Sequence, residues 1–381
     1  MSKQRLGRTA LETAPLIFGG NVFGWTLDEA ASFDMIDAWL DAGFNMIDTA
    51  DVYSKWVEGH TGGESETVLG RYFKARGNRD QIILASKVGM EMPEAGRGLS
   101  RDWITREVEA TLQRLNTDYL DLYFAHSDDQ NTPLDETMDA FDRLVRDGKV
   151  RYLGASNYDG SRLVSALASA RDLETARYQV LQPHYNLYER RDFEHDLADI
   201  CHEHALGVTP YFALASGFLT GKYRSVDEIA GTAREPFLKD YFDERGMAIL
   251  DALDEVSERH DTTPAAVSLA WLIAQPVVSA PIVSATSVSQ LDQLIAATEL
   301  RLDEAEEFML RGEIGKAEAI LLAMLEEDDE CIPVLSNLGH MHGRHLSEFE
   351  QAVAYYNRVL DLEPDNAWAR DARRRYLRYV E

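Results

Sequence analysis

The sequence has few cysteines and no long apolar segment. Its 381 residues include two cysteines, Cys201 and Cys331, which are far apart and show no spacing typical of metal ligands. This excludes a disulfide framework. No apolar run approaches the roughly 20 residues that span a bilayer, and the N-terminal stretch 1–20 lacks the apolar core of a signal peptide. These absences predict a reduced, cytoplasmic protein.

Positive charge is also scarce. Lysine and arginine number 38 against 66 aspartates and glutamates, for a formal net charge of −28. A surface of this sign repels nucleic acid and anionic membranes, so we predict neither as a partner. Arginines are concentrated in 370–378, where the cations of a terminal helix complement its own dipole and the acidic run 326–330.

What the sequence does contain is an alternation of short apolar runs with amphipathic stretches from residue 14 to about 300. Eight strands alternating with helices predict a parallel α/β barrel, so the fold class we predict is a (β/α)8 TIM barrel. A short hairpin before residue 14 would close the bottom of the barrel. The strand candidates are 15–20, 44–50, 82–88, 119–126, 150–156, 178–184, 208–214 and 279–285. The helix candidates include 28–42, 64–76, 102–115, 135–147, 193–206 and 243–259.

After residue 302 the pattern changes to helices alone, at 303–326, 332–343, 347–362 and 366–379. The middle pair has the spacing of a tetratricopeptide repeat (TPR), with Leu338-Gly339 in one helix, Ala352 and Tyr355-Tyr356 in the next, and Pro364 beyond it. We therefore divide the chain into a barrel, 1–302, and an all-α TPR-like extension, 303–381. A natural extension and an engineered fusion are both compatible with that boundary.

The extension holds only about one and a half repeats, fewer than the three that usually stand alone. We predict that it packs on the barrel or on another copy of the chain, and that it could also recruit a partner protein. Its histidines, His340, His342 and His345, have no Cys or carboxylate at a matching spacing, so we predict no metal site. The predicted core of the extension is Leu321, Leu325, Leu335, Leu338, Tyr355, Leu360 and Trp368.

Four polar residues fall at the ends of successive predicted strands. Asp48 ends the second strand with Tyr53 just beyond it, Lys87 ends the third and His126 ends the fourth. The C-terminal ends of barrel strands converge on one face, where active sites form. Carbonyl reduction needs a proton donor: a phenol can serve if a nearby ammonium lowers its pKa, an aspartate can hold the ammonium, and a histidine can orient the carbonyl oxygen. We predict Asp48, Tyr53, Lys87 and His126 as the catalytic set.

These residues lie in stretches that resemble a known family. IDTADVY (47–53), ILASKV (83–88) and LYFAH (122–126) are similar to the three tetrad motifs of the aldo-keto reductase superfamily, and GASN (154–157) resembles its nicotinamide-carboxamide motif. The resemblance covers residues 4–300. It implies a barrel that binds NADP(H), or less often NAD(H), without a Rossmann domain, and no G-x-G-x-x-G follows a strand here.

The resemblance also implies a set of cofactor-binding positions. Ser156, Asn157 and Gln182 match the positions that hold the carboxamide, and Tyr211 matches an aromatic position whose ring stacks on the nicotinamide. The segment 214–222 matches the loop along the pyrophosphate, and 284–290 matches the segment around the adenosine phosphate. The matched residues are Ser156, Asn157, Gln182, Tyr211, Leu214, Ser216, Leu219, Gly221, Lys222, Ser284, Thr286, Ser287 and Gln290.

One departure from the family concerns cofactor choice. Many relatives place a lysine and an arginine in the late segment, where Ser284 and Gln290 stand here. Without charge-assisted pairs to the 2′-phosphate, discrimination for NADP(H) should weaken, although Lys222 or Arg224 could compensate. NADP(H) is the first expectation and NAD(H) the second.

The substrate is expected to be a small carbonyl compound. Trp25, Trp56 and His60 fall on loops next to Tyr53, with His184 and Tyr185 nearby, and aromatic walls suit sugar-like and aromatic compounds. The predicted function is NAD(P)H-dependent reduction of an aldehyde or ketone to the alcohol. The alternative is a nicotinamide-binding regulatory or scaffold protein whose helical extension recruits a partner; turnover of an activated aldehyde separates the two.

Overall fold

A computed structural model describes residues 2–92, 96–232 and 235–380. The chain forms two compact units. The first contains Met1–Asp243 and Ser257–Leu300, and the second contains Glu244–Val256 and Arg301–Glu381. Among the described residues, no helix has both the length and the apolar character that a membrane crossing requires.

The first unit is built on one sheet of eight parallel strands. It is preceded by the predicted hairpin, β1 (Gln4–Arg5) paired antiparallel with β2 (Glu12–Thr13). The sheet strands are β3 (Ile17–Gly19), β4 (Met46–Asp48), β5 (Ile83–Val88), β6 (Leu120–Ala125), β7 (Val150–Ser156), β8 (Tyr178–Gln182), β9 (Gly207–Val208) and β10 (Ile282–Val283). Their order across the sheet is β10-β3-β4-β5-β6-β7-β8-β9.

Backbone hydrogen bonds also connect the two outer strands of this sheet. Ser279 N donates to Val208 O at 2.8 Å and Ile282 N donates to Pro210 O at 2.9 Å. The curled sheet with helices around it agrees with the predicted (β/α)8 fold. An apolar cluster inside it joins hairpin residues to strand residues: Leu6, Leu11, Ile17, Met46, Ala85, Leu122, Phe124, Val180, Ala280 and Ile282.

Helices follow the strands, and several begin at a side-chain cap. Asp28, Ser100, Asp159, Thr263 and Ser287 each accept a backbone N–H of the first turn, which explains where these helices start. The helices are α1 (Glu29–Asp41), α2 (Glu64–Arg76), α3 (Arg101–Leu115), α4 (Leu134–Arg146), α5 (Gly160–Asp172), a π-helical turn (Phe193–Leu197) continued by α6 (Ala198–His204), α7 (Val226–Ile229), α8 (Glu235–Leu238), α9 (Glu244–Arg259), α10 (Pro264–Ala274) and α11 (Val288–Ala296). Short 3-10 turns cover Gly20–Val22, Arg79–Gln81, Ala215–Thr220 and Lys239–Tyr241.

The eight predicted strands and the six helices predicted between residues 28 and 259 are confirmed, with most strands shorter than predicted. The largest difference is at 208–214, where only Gly207–Val208 is strand. Pro210 has no N–H to donate to a sheet, and Phe212 has a φ of 51°, which is incompatible with a strand.

The second unit consists of helices. After the Glu244–Val256 part of α9, it contains α12 (Glu304–Leu310), α13 (Ile314–Glu327), α14 (Ile332–Arg344), α15 (Phe349–Leu362) and α16 (Ala367–Leu377). The prediction of one helix over 303–326 is wrong, because the chain breaks at Gly312, whose φ of 73° is left-handed.

The core of the second unit is close to the predicted one. Leu321, Leu335, Leu338 and Tyr355 are buried in one cluster, and Leu325 and Leu360 pack against it half-buried. Trp368 is the exception. It remains 39% exposed, whereas Tyr356 of α15 and Tyr376 of α16 are buried in the core, with their rings stacked at 6.2 Å.

Candidate active site

The four predicted catalytic residues lie together at the C-terminal ends of β4, β5 and β6. Asp48 and Lys87 are within their strands, His126 directly follows β6, and Tyr53 lies on the loop after β4. In-register pairing of Asp48 with Ala85 and of Lys87 with Phe124 brings these positions to the same edge. Asp48 and Lys87 are fully buried, and Tyr53 is half-buried.

Lys87 connects the set through hydrogen bonds. Its Nζ donates to Asp48 Oδ2 at 2.5 Å, to Tyr53 Oη at 2.7 Å and to the Thr49 carbonyl at 2.9 Å. The Tyr53 hydroxyl in turn donates to Asp48 Oδ2 at 3.2 Å. All three protons of an ammonium therefore have acceptors, and the lysine is held in a single position.

His126 completes the cluster from the other side of Tyr53. The two ring centroids are 6.1 Å apart, at an angle of 72°. Burial, reinforced by the charges of Lys87 and Lys55, holds the pKa of His126 well below its ordinary value, so the imidazole is neutral at physiological pH. A neutral imidazole carries one N–H and can donate one hydrogen bond to a carbonyl oxygen.

The pKa of Tyr53 is raised overall in this arrangement, whereas a nearby ammonium was expected to lower it. Burial is the main reason that the pKa of Tyr53 lies well above its ordinary value, and the adjacent Asp48 carboxylate raises it further. Burial also lowers the pKa of Lys87, against the effect of Asp48. The sequence could not show that Asp48 contacts the phenol as well as the ammonium. Tyr53 consequently keeps its proton throughout the neutral range.

The residues that match the carboxamide positions adjoin this cluster. Gln182 Nε2 donates to Asp48 Oδ1 at 2.9 Å, and Ser156 Oγ donates to the Gln182 carbonyl at 2.8 Å. Asn157 Nδ2 donates to the His126 carbonyl at 2.8 Å, and the Tyr211 hydroxyl donates to Asn157 Oδ1 at 2.8 Å. The ends of β7 and β8 thus carry a hydroxyl and two carboxamides next to the tetrad.

The segment 214–222 forms an unusual backbone loop. Ala215, Ser216 and Gly217 have consecutive φ values of 47°, 57° and 103°, and Gly221 has a φ of 68°. Left-handed alanine and serine cost free energy, of order 1 kcal/mol each, and such strain occurs mostly at binding sites. The backbone N–H groups of Ala215, Gly217, Leu219 and Gly221 all donate to carbonyls within 212–218, which closes the loop on itself. Leu219 is buried, and Lys222 is exposed.

The late segment 284–290 uses its polar side chains within the protein. Ser284 Oγ lies 2.8 Å from the Gly19 carbonyl oxygen and 2.8 Å from Asn21 Oδ1, and its single proton is donated between these two acceptors. Gln290 Oε1 accepts from Thr286 N at 2.9 Å and from the Thr286 hydroxyl at 3.0 Å, while Ser287 caps α11. The two positions at which many relatives carry cations are therefore neutral and already hydrogen-bonded.

Two of the three predicted substrate residues form a wall next to Tyr53. The rings of Trp25 and Trp56 meet edge to face at 5.5 Å, and Trp56 lies 6.2 Å from the Tyr53 ring. They are 40% and 47% exposed, so their faces are available to a ligand. His60 instead turns its Nδ1 toward the Ser54 carbonyl at 3.2 Å, and in the described part of the chain it makes no recorded contact with the tetrad.

A cavity of about 730 Å³ lies over the ends of β5, β6 and β7 and reaches the site at Asn157. This volume is in the range that holds small ligands. Four carboxylate residues line it against one arginine: Glu91, Asp128, Asp129 and Asp159 against Arg97.

Sequence reasoning missed a buried ionic cluster near the tetrad. Arg114 Nε donates to Glu66 Oε2 at 2.6 Å, and its Nη2 donates to Glu107 Oε1 at 2.5 Å. Both glutamates are buried, as is Asp51, whose carboxylate oxygens lack hydrogen-bond partners among the described residues. The available signal was the spacing of Glu107 and Arg114, which lie two turns apart on the apolar face of α3.

In (β/α)8 enzymes the active site lies at the C-terminal ends of the parallel strands, which is where this cluster is found. A sequence profile of the Aldo/keto reductase family matches residues 15–311. The chain belongs to this family, whose members are oxidoreductases that typically bind a nicotinamide cofactor.

The chain is similar to several characterised or named relatives. It is 36% identical to an uncharacterized oxidoreductase, YrpG, of Bacillus subtilis, over 78% of this chain and 91% of the relative. It is 30% identical to norsolorinic acid reductase of Aspergillus flavus, over 78% and 76%. It is 29% identical to a probable voltage-gated potassium channel subunit beta of Arabidopsis thaliana, over 79% and 92%.

Proposed function

We propose that the protein reduces an aldehyde or ketone to an alcohol, with a nicotinamide cofactor as hydride donor and Tyr53 as proton donor. The observation that carries this proposal is the single hydrogen-bonded set in which Lys87 Nζ contacts both Asp48 and the Tyr53 hydroxyl. Hydride addition to a carbonyl leaves an alkoxide, which needs a proton delivered at its oxygen.

The chain's own groups can supply that proton. Tyr53 is a neutral phenol at physiological pH, since the ordinary pKa of a phenol is near 10 and burial raises the pKa of Tyr53 further. When its proton moves to the substrate oxygen, the Lys87 ammonium at 2.7 Å stabilises the phenolate that remains. His126 donates a hydrogen bond that orients the carbonyl oxygen, and Asp48 holds the ammonium in place.

The residues around the tetrad fit a nicotinamide cofactor, which would supply the hydride. Ser156, Asn157 and Gln182 offer the donors and acceptors that a carboxamide needs, and the Tyr211 ring beside them offers a flat apolar face. Lys222 is exposed on the segment 214–222, where its ammonium suits a pyrophosphate. The remaining positions, Ser284, Thr286, Ser287 and Gln290, would surround the adenosine end.

We predict a small preference for NADPH over NADH. Ser284 and Gln290 are neutral and hydrogen-bonded within the protein, so they offer no charge-assisted pair to a 2′-phosphate. Dissociation constants for both cofactors, from quenching of intrinsic fluorescence, should differ by less than about a thousandfold, or ~4 kcal/mol. Gln290→Arg should raise the preference roughly tenfold, whereas the uncharged Gln290→Met should not. A larger native preference would show that Lys222 or Arg224 already binds the phosphate.

The preferred substrates should be uncharged and flat on at least one side. Trp25 and Trp56 present exposed ring faces next to Tyr53, and the adjoining cavity carries mainly carboxylates that repel anions. Aromatic aldehydes and sugar-like carbonyl compounds meet both conditions.

The direct test is oxidation of NADPH by the purified chain with 4-nitrobenzaldehyde, followed by a panel of aldoses, keto-sugars and aromatic aldehydes. We expect turnover with the activated aldehyde and higher kcat/KM for neutral aromatic or sugar-like members than for carboxylated ones. Tight NADPH binding without turnover of any member would instead favour a regulatory protein. The similarity to a channel beta subunit makes that the second candidate function.

For the C-terminal helices we propose a TPR-like appendage, 303–381, that supplies no catalytic group. Leu338, Ala352, Tyr355 and Tyr356 are buried in one core, as the repeat pattern requires. A Cβ at Gly339 would lie 3.1 Å from the Tyr356 ring, which explains the need for glycine where the two helices pack. Self-association or binding of a partner protein would use the exposed faces of these helices.

Truncation after Leu302 tests that proposal. We expect kcat for a small aldehyde to change by no more than a few-fold, because every tetrad residue lies in the first unit. Thermal stability should fall, since Glu244–Val256 loses the helices with which it forms the second unit. Steady-state kinetics, thermal unfolding and light scattering measure the three properties. Loss of activity with the barrel still folded by circular dichroism would assign the helices to the active site.

A further inference from the structure

The second unit contains a cluster of metal-ligand side chains that the proposed function does not use. Glu255 of α9, His340 within α14 and His345 at the end of α14 each direct one ligand atom to a common point. These three atoms lie within 4.8 Å of one another. The spacing of the histidines alone offered no third ligand, because Glu255 comes from a distant part of the chain.

The measured separations suit a tetrahedral metal ion. Glu255 Oε2 lies 3.0 Å from His340 Nε2 and 3.5 Å from His345 Nε2. Zinc bonds to nitrogen and carboxylate oxygen are about 2.0–2.2 Å, so two ligands of a tetrahedral zinc lie roughly 3.3–3.5 Å apart. The two separations from Glu255 are within a few tenths of an ångström of that value, and the ligand atoms of the two histidines lie within 4.8 Å of each other.

The three side chains are buried, which favours a cation bound between them over the same side chains without one. The Glu255 side chain is 2% exposed, and those of His340 and His345 are 10% exposed. Nε2 of His345 is buried without a hydrogen-bond partner in the described parts of the chain, and its 3.5 Å separation from the carboxylate is too long for a good hydrogen bond. A lone pair on this nitrogen would face the carboxylate, an arrangement that a metal ion between them makes favourable.

The surrounding structure holds together the two helices that carry the three ligands. Arg344 forms an ion pair with Asp251, which lies one turn before Glu255 on α9. This contact fixes the last turn of α14 against the same face of α9. The His345 backbone N–H donates to the Met341 carbonyl at 3.0 Å, so the site lies at the C-terminus of α14, where the helix dipole favours a cation.

His342, on the same helix, has a different environment. Its Nδ1 is 2.7 Å from Glu348 Oε2 and its Nε2 is 3.3 Å from Glu318 Oε1. Its two nitrogens therefore face carboxylates other than that of Glu255, and His342 is not part of the cluster. It is therefore a matched control, similarly buried and on the same helix, for the two proposed ligands.

We propose that Glu255, His340 and His345 bind one divalent transition-metal ion, with Zn²⁺ as the best match to a two-histidine, one-carboxylate set. A solvent molecule would complete the coordination. The ion would cross-link α9 to α14 within the second unit. This site is independent of the carbonyl-reducing function proposed for the first unit.

The test uses the full chain after EDTA treatment and exchange into buffer with excess Mg²⁺, which occupies weak surface carboxylate sites. We expect one equivalent of Zn²⁺ to bind with a Kd below about 10 µM and to raise the thermal unfolding temperature. Co²⁺ should bind in its place and give the visible absorption of a four-coordinate ion. This spectrum reports on the unaltered protein, so it does not depend on whether a variant folds.

Variants identify the ligands. His345→Ala and Glu255→Gln should each weaken Zn²⁺ binding by roughly 100-fold, since even indirect support of a ligand is worth 10- to 100-fold. His342→Asn should bind Zn²⁺ as the native chain does. The proposal is overturned if the native chain takes up no stoichiometric Zn²⁺ at 100-fold excess over the expected Kd. It is also overturned if His345→Ala and Glu255→Gln bind like the native chain, or if His342→Asn loses binding equally.

Discussion

Replacing Tyr53 with Phe should lower kcat for carbonyl reduction by at least ~10²-fold, the usual contribution of general acid catalysis. The Tyr53 hydroxyl accepts a hydrogen bond from Lys87 and lies beside the neutral His126, so its loss leaves the alkoxide without a proton donor. Cofactor binding should be unchanged, because Ser156, Asn157 and Gln182 make no recorded hydrogen bond to the phenol. Single-turnover reduction of 4-nitrobenzaldehyde and fluorescence quenching by NADPH measure the two effects.

The matched control for this variant is Tyr72→Phe. Tyr72 is also buried and its hydroxyl donates to Asp37 at 2.8 Å, but it lies on α2 away from the tetrad. The Tyr72→Phe variant should lose some stability and keep the kcat of the native enzyme. Because burial raises the pKa of Tyr53, the native enzyme's reduction rate should be constant through neutral pH and fall only in alkaline solution, as the phenol loses its proton. Near-native turnover by Tyr53→Phe, with the same pH profile, would remove Tyr53 from the mechanism.

Replacing Arg114 with Met should lower the free energy of unfolding by about 3 kcal/mol, which is the scale for removing one partner from a buried ion cluster. The Arg114 guanidinium contacts the buried carboxylates of Glu66 and Glu107 and is itself 23% exposed. Burial alone would lower the pKa of Arg114, but the two carboxylates outweigh burial and hold it above its ordinary value. The methionine fills most of the volume, so the loss measures charge rather than packing.

The deficit of this variant should depend on pH in a defined direction. Burial, together with Glu66 and Glu107, raises the pKa of Asp51 well above its ordinary value of 3.8, and Arg114 partly opposes this rise. A carboxyl group whose pKa is higher in the folded than in the unfolded chain costs no stability below pH 3.8, because the group is then protonated in both the folded and the unfolded chain. Its cost grows as the pH rises toward the folded pKa, by up to about 1.4 kcal/mol per pH unit. Without Arg114 the deficit should therefore be small near pH 4 and largest at neutral pH.

Urea unfolding of the native chain and of Arg114→Met between pH 4 and pH 8 measures this dependence. Arg106→Met, an exposed change on the same helix, is the control and should cost a few tenths of a kcal/mol, since it removes a cation–π contact with the Trp103 ring. A deficit that is the same at every pH would show that Arg114 acts through packing and not as the counter-charge of the carboxyl groups.

Most of the first unit was predictable because its determinants are local. Buried parallel strands appear as short apolar runs, and the helices between them show a 3.6-residue period. The tetrad could be located for the same reason, since the position of a residue at a strand's C-terminal end decides which edge of the sheet it occupies. Once the strands were assigned, their ends were enough to predict that Asp48, Lys87 and His126 lie close together.

The pKa of Tyr53 shows where such reasoning stops. Sequence placed Lys87 near the phenol, and the structure confirms that contact at 2.7 Å. Whether the pKa of Tyr53 is raised or lowered also depends on the extent of burial and on a second contact, from Tyr53 to Asp48 at 3.2 Å. Both depend on where side chains lie in three dimensions. A shift of an ångström in those positions would change the electrostatic energies that set the pKa of Tyr53.

By itself, the sequence determined the strand and helix order, the residues at the strand ends and the family to which the chain belongs, because each depends on local periodicity or on contiguous motifs. The tertiary structure decided which residues from distant segments meet. Arg114 joins Glu66 from another helix, and Glu255 joins His340 and His345. Such meetings depend on how helices pack and in which register, and helix packing is set by the sum of many weak side-chain contacts rather than by any motif.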